Sequence, residues 1–278
     1  MKKIILALLF LGTLISAQTH RFVYEFQFKE DSTSSSTRKE PMVLDINPSE
    51  TKFYPYAYVE TDSLNKKNPD NHNLMWDDLP SVVRKKDAYQ HKNYFNVNHL
   101  FVIESRDEMT WNLSSETKMS GNYILQKATT KFGGRSWTAW FNKETAISEG
   151  PYKFRGLPGL IFEIEDTAKN FSFKLLKSYR LIETYSTREI IENWGGQTAI
   201  PLTQKKYDKL LLDNFNDPLR EFREHYKKNT DPQAKFMFNN IEVKSADQFH
   251  DLSRMAQERA RKNNNPIEID KAVHYPEK

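Results

Sequence analysis

Apolar and polar residues alternate with a period of two along most of the first two thirds of the chain. In residues 21–28, Phe22, Tyr24, Phe26 and Phe28 fall on one side of an extended segment, because successive strand side chains point to opposite faces. This predicts a first strand. Met42, Leu44 and Ile46 alternate with Val43, Asp45 and Asn47 to give a second. Residues 53–59 read as a third, with Pro55 at an edge or bulge because it has no N–H for the ladder. The aromatics Phe53, Tyr54, Tyr56 and Tyr58 read as strand packing rather than as a ligand cage. Residues 61–89 turn polar, and within them residues 65–73 predict an exposed loop. Residues 94–97, 99–105, 108–113, 122–130 and 136–141 then read as short strands of an antiparallel meander, with a plain hairpin turn at Gly133-Gly134.

The pattern tightens at residues 150–165, which hold three of the nine glycines. In Leu157-Pro158-Gly159-Leu160 the proline presets φ at the second position and the glycine accepts a positive φ at the third, which predicts a type II turn. Beyond it Leu160, Phe162 and Ile164 face one way and Glu163 and Glu165 the other. Residues 171–175 repeat the alternation, so the two stretches form a hairpin, and residues 178–185 extend and end the sheet. From about residue 187 the period becomes helical. Thr203 is placed to cap a helix carrying Tyr207, Leu210, Leu211 and Phe215; a second stripe is Leu219, Phe222 and Tyr226, and a third lies within 247–262. Ile267-Glu268-Ile269 reads as a last strand or a tail.

The block Trp137-Thr138-Ala139-Trp140-Phe141, then residues 147–152, then Phe154-Arg155-Gly156-Leu157-Pro158-Gly159-Leu160-Ile161, resembles the signature of the GLPGLI family, secreted proteins of the Bacteroidetes phylum. Gly156 to Ile161 match it letter for letter. Many members of that family carry a cysteine near the first block. Here Ser136 precedes Trp137 and the chain has no cysteine, which excludes thiol, disulfide and cysteine-anchored lipid chemistry. The resemblance implies an address and a fold rather than a reaction. Gly150, Pro151, Gly156, Leu157, Pro158, Gly159, Leu160 and Ile161 are expected to be structural. Trp137, Trp140, Tyr152, Lys153, Phe154 and Arg155 interleave cations with the densest aromatic cluster. They are the candidate ligand- or partner-binding residues, on a loop expected to fold across the open side of the sheet.

At the N-terminus Lys2 and Lys3 precede an apolar run over residues 4–14, too short for a bilayer span of roughly 20 helical residues. It ends in Ile15-Ser16-Ala17, the pattern of a cleaved signal peptide over residues 1–17. The expectation is therefore one β-rich domain over 18–278, not membrane-spanning after cleavage, periplasmic or secreted. The 41 basic and 37 acidic side chains are interspersed, which argues against a nucleic-acid partner, whose footprint is a segregated basic face. The 18 phenylalanines, 13 tyrosines and 5 tryptophans favour a β-rich body.

The seven histidines include no pair three or four positions apart, so no zinc-type motif is present and no metal or cofactor is implied. Asp77-Asp78 near His72 and His91 is the acidic pair that acid–base chemistry would draw on, though its spacing fits a solvated turn. The sequence thus predicts a mainly β (α+β) fold, a curved antiparallel sheet or incomplete barrel with C-terminal helices packed on it. The expected role is a non-catalytic cell-envelope protein that binds a partner, such as an envelope protein or outer-membrane receptor, or an apolar or peptide ligand. The alternatives are a hydrolase or peptide-processing enzyme using Asp77 or Asp78 with His91 or His99, and a purely structural surface protein.

Overall fold

The computed structural model describes residues 18–68, 70, 73, 75–231 and 233–277; the expected signal segment and His72 lie outside the described residues. The body is mainly β, 39% strand against 23% helix. Strands β1 (Thr19–Phe28), β2 (Arg38–Ile46) and β3 (Glu50–Pro55) lead into helix α1 (Tyr56–Lys67), then β4 (Ser81–Lys85), β5 (Gln90–Val97) and β6 (His99–Arg106). A second run comprises β7 (Asn112–Ser120), β8 (Tyr123–Phe132), β9 (Arg135–Asn142), β10 (Leu160–Asp166) and β11 (Phe171–Leu181). Two short hairpin strands, β12 (Asn193–Trp194) and β13 (Gln197–Thr198), precede β14 (Ile200–Leu202) and α2 (Gln204–Asn216); α3 (Arg220–Lys228), the small hairpin β15 (Met237–Phe238) and β16 (Ile241–Glu242), and α4 (Phe249–Lys262) complete the order.

Among the described residues twelve strands form one sheet in the order β14-β6-β5-β4-β3-β2-β1-β11-β10-β9-β8-β7. Two antiparallel meanders meet where β1 pairs β11, and β14 joins β6 in parallel. The sheet is therefore mixed rather than wholly antiparallel. It must also curl. Strands β6 and β7 stand near its opposite ends, which a flat sheet would separate by about 48 Å at ~4.8 Å per strand. The link over residues 107–111 reaches only about 20 Å when fully extended. The sheet curves accordingly but does not close into a barrel.

The predicted face of β1 is buried as expected: Phe22, Tyr24, Phe26 and Phe28 join Met42, Leu44, Phe53, Trp137 and Phe141 in the main aromatic core. The opposite face is covered too. Over β2 to β5, Val43, Tyr54, Val83 and Tyr94 are packed by Tyr58 of α1 and by Ile191, which lies in a π-helical turn, Arg188–Glu192. Burial there extends to charge: Arg21 makes two 2.7 Å hydrogen bonds to Asp45, which also accepts from the Tyr54 hydroxyl at 2.6 Å.

Several expectations are corrected. Pro55 ends β3 and stands at the N-cap of α1 with φ −60°; its fixed φ and missing N–H cost nothing at a helix start, so Tyr56 and Tyr58 are helical. Residues 108–111 form the link between the meanders rather than a strand. The sheet does not end near Tyr185, because β14 extends its far edge. Of the two readings of Ile267-Glu268-Ile269, strand or tail, the tail holds: it pairs with no strand and runs into a 3-10 turn, Ile269–Lys271. Thr203 does cap α2, its side chain accepting from the Lys206 N–H at 3.3 Å. Helix α2 packs on the sheet through Tyr207, whose ring lies 4.7 Å from that of Phe95, whereas α3 and α4 share a smaller cluster around Leu219, Phe249 and Leu252.

Candidate functional site

The loop from β9 to β10 is held by its own main chain. The Leu160 N–H donates to the Thr145 carbonyl at 3.1 Å, Ile161 to Glu149 at 3.0 Å and Gly156 to Ser148 at 3.2 Å. The reversal before β10 is not the type II turn that Pro-Gly predicts. The Gly159 N–H donates back to the Leu157 carbonyl at 2.8 Å, a three-residue turn centred on Pro158. Gly159 stands at φ +157°, far from the roughly +80° of a type II turn, because its backbone lies hard against the end of β9. A bulge between Ile161 and Glu163 then resets the strand, so that Ile161 pairs with Phe141 and Ile164 with Ala139.

The six candidate binding residues separate into four places. Trp137 and Phe154 are buried in the core, ring centroids 4.6 Å apart, with the Trp137 indole N–H donating to the Phe132 carbonyl at 3.0 Å. Trp140 is half-buried, with the Lys118 ammonium 4.5 Å from its ring. Arg155 donates to the Ala88 carbonyl at 3.0 Å and lies over the Tyr89 ring at 4.9 Å, beside a buried Arg84–Glu149 ion pair. Tyr152 and Lys153 form the fourth place, and Tyr152 reaches it by taking a positive φ of 56°.

There Lys153, 2% exposed, sits 3.0 Å from Asp107 and 2.5 Å from Glu268, and donates to the Ser105 hydroxyl at 3.2 Å. The Tyr152 hydroxyl and Lys271 also donate to Glu268. His91 lies under the cluster, Nδ1 3.3 Å from Asp107 Oδ2, yet neither ring nitrogen has a hydrogen-bond partner. Burial pushes its pKa below the ordinary value, outweighing Asp107. Burial works to raise the carboxyls of Asp107 and Glu268, but the neighbouring donors and cations outweigh it and hold both below the usual range. Burial, seconded by Glu268, pushes the Tyr152 hydroxyl well up. Each charge is matched by an opposite one, so the cluster fixes its members in their resting forms. Ser105 donates to Asp107 rather than to a histidine, which is not the geometry of an activated nucleophile.

This arrangement differs from the pairing the sequence singled out. The carboxylate beside His91 is Asp107, which falls between two of the expected strands. Asp77 gives its backbone N–H to the Tyr58 hydroxyl at 2.9 Å, and His99 begins β6 on the exposed side. Glu268 was hidden in the tail; its one signal was an acid between two isoleucines. Among the described residues no group of three or more histidine or acidic side chains is placed to hold a metal ion, and no helix is long and apolar enough to cross a membrane.

Beside the cluster, on the aromatic face of the sheet, lies a cavity of about 600 Å³. Its floor comes from β1 and β4 to β6, with Phe26, Phe28 and Ile103; its cover comes from α2 and the C-terminal tail, with Tyr207, Leu211 and Val273. Ser105, Tyr152, Lys153, Glu268 and Lys271 form its charged end, and Asp78 reaches its wall.

A family described as a protein of unknown function (Porph_ging) matches residues 133–163, the stretch that also carries the GLPGLI motif. No curated protein matches the chain. Two crystal forms of a protein named PNGF-II are similar in structure. One has a TM-score of 0.50 at 14% identity over 69% of this chain and 32% of that one. The other has 0.50 at 13% over 81% and 40%. The chain thus spans about a third to two fifths of PNGF-II, and at this identity the likeness concerns the fold alone.

Proposed function

We propose that the protein is a non-catalytic, exported protein of the cell envelope that binds an apolar ligand, or the apolar side chains of a peptide or partner, in the cavity under α2. The cavity is the observation that carries this reading. Its volume of about 600 Å³ lies within the range of small-molecule sites, and an apolar wall with a few fixed polar groups is their usual chemistry. Tyr152 and Lys153 tie that cavity to the stretch matched by the family. Export is supported by the basic and apolar pattern of residues 1–17.

The test uses 1-anilinonaphthalene-8-sulfonate as an apolar probe on the folded protein at neutral pH, with near-ultraviolet circular dichroism as the check on folding. Saturable binding is expected, weakened at least tenfold by Leu211→Trp, which fills the cavity from α2. Palmitate is expected to displace the probe if the natural ligand has an apolar chain; displacement only by an apolar peptide points to a polypeptide ligand. Absence of saturable binding to folded protein, or binding indifferent to Leu211→Trp, overturns the reading.

A further inference from the structure

The segment after α4 lies across the tip of the β8–β9 hairpin without joining the sheet. Its seat is shaped to main chain. A Cβ on Gly133 would stand 2.8 Å from Glu268 Cα, and one on Gly134 would stand 2.8 Å from Ile269 Cγ2. Arg135, next in sequence, donates to the carbonyls of Ile267 at 3.0 Å and Pro266 at 2.9 Å, and to Asn265 Oδ1 at 2.6 Å. Two side chains of the segment are read individually. Ile267 enters the aromatic core, and the Glu268 carboxylate is held by Tyr152 and Lys153. All five receiving residues fall within the 133–163 stretch.

Main-chain contacts that give affinity, with side-chain pockets that give specificity, are a means by which a protein surface reads a peptide segment. We infer that residues 133–153 form a binding site for a glutamate-bearing peptide segment, and that the chain's own residues 265–271 fill it as an exchangeable latch. Exchange leaves the sheet intact, because the segment supplies no strand. Its main-chain hydrogen bond to the hairpin, from the Asp270 N–H to the Gly133 carbonyl, is long at 3.4 Å. The tether through α4 holds the segment at an effective concentration in the millimolar range, so a free peptide competes only once the internal anchor is weakened. The site adjoins the cavity and shares Tyr152 and Lys153 with its charged end, but its test reads dependence on a peptide's glutamate, which an apolar cavity ligand does not carry.

The experiment measures fluorescence anisotropy of a labelled peptide, Asn-Asn-Pro-Ile-Glu-Ile-Asp-Lys, added to the full-length chain. The Glu268→Ala variant is expected to bind it at least tenfold more tightly than wild type. A peptide with glutamine in place of glutamate is expected to bind that variant at least tenfold more weakly, and adding Arg135→Ala to abolish binding. Equal binding by wild type and variant, or indifference to the peptide's glutamate, overturns the inference. A second measurement needs no variant. Hydrogen exchange of the wild-type amides at Asp270, Lys271 and Ala272 is expected to proceed by local opening that is insensitive to low guanidinium, while β8 and β9 exchange only with global unfolding. Exchange of both at the global rate overturns the latch.

Discussion

At Gly159 a Cβ would lie 2.1 Å from the Asn142 carbonyl oxygen and 2.7 Å from its carbon. Both sides of that contact are main chain, so no rotamer change relieves it. Gly159→Val is expected to abolish folded protein, read as loss of soluble yield and of the near-ultraviolet dichroism of the buried tryptophan. Gly121, in the β7–β8 turn, is the matched control: it has a φ of +57° and nothing within 4 Å of an added Cβ. Gly121→Ala is expected to cost about 1–2 kcal/mol of left-handed strain, read from the guanidinium midpoint. Equal losses at the two positions would sink the steric account. The sequence placed a reversal at Gly159 from its Pro-Gly pair. It held nothing about clearance, because the atom that forbids a side chain at Gly159 belongs to a different strand.

At the scale of elements, the β9–β10 loop carries Lys153 into a pocket formed by β6, the link after it and the tail. Removing that cation leaves Asp107 and Glu268, both largely buried, facing each other with Lys271 as the remaining lysine. Lys153→Met is expected to destabilise by about 3–5 kcal/mol, measured by denaturant unfolding. The double variant with Asp107→Asn is expected to lose less than the sum of the two single losses, since one repelling charge is gone; strict additivity would refute the shared network. Helix α1 shows what pattern alone misreads. Tyr54, Tyr56 and Tyr58 continue a strand period across Pro55, but Tyr58 is buried against the sheet from the helix side, where it packs 5.9 Å from Trp76. The tertiary contact overrode the local alternation.

At the scale of the whole molecule, three titrating groups share one buried cluster. The pKa values of His91, Asp107 and Glu268 are all lowered by folding, so as pH falls the unfolded chain takes up each proton first. Their contribution to stability is complete above the unfolded values and is lost in turn on acidification. The guanidinium midpoint is expected to hold near neutrality, decline as pH passes below the ordinary histidine value of 6.5, and fall again below the ordinary carboxyl values of 4.5 and 3.8. His91→Gln is expected to lessen the first decline, leaving the part that belongs to His20, whose pKa burial also lowers, and to keep the second. A midpoint that rises between pH 6.5 and pH 5 would contradict the assignment. By itself the sequence determined the strands of the aromatic face, the hairpin after Gly159, the helical C-terminal part and the curved β-rich class, because side-chain direction along a strand or helix is a local property. Only the tertiary structure decided that His91 meets Asp107 rather than Asp77 or Asp78, that the tail's Glu268 completes the cluster, and that a cavity opens beside it. Those contacts depend on the register of strands from two meanders and on the curl that the short link after β6 imposes, and neither is written in any one segment's pattern.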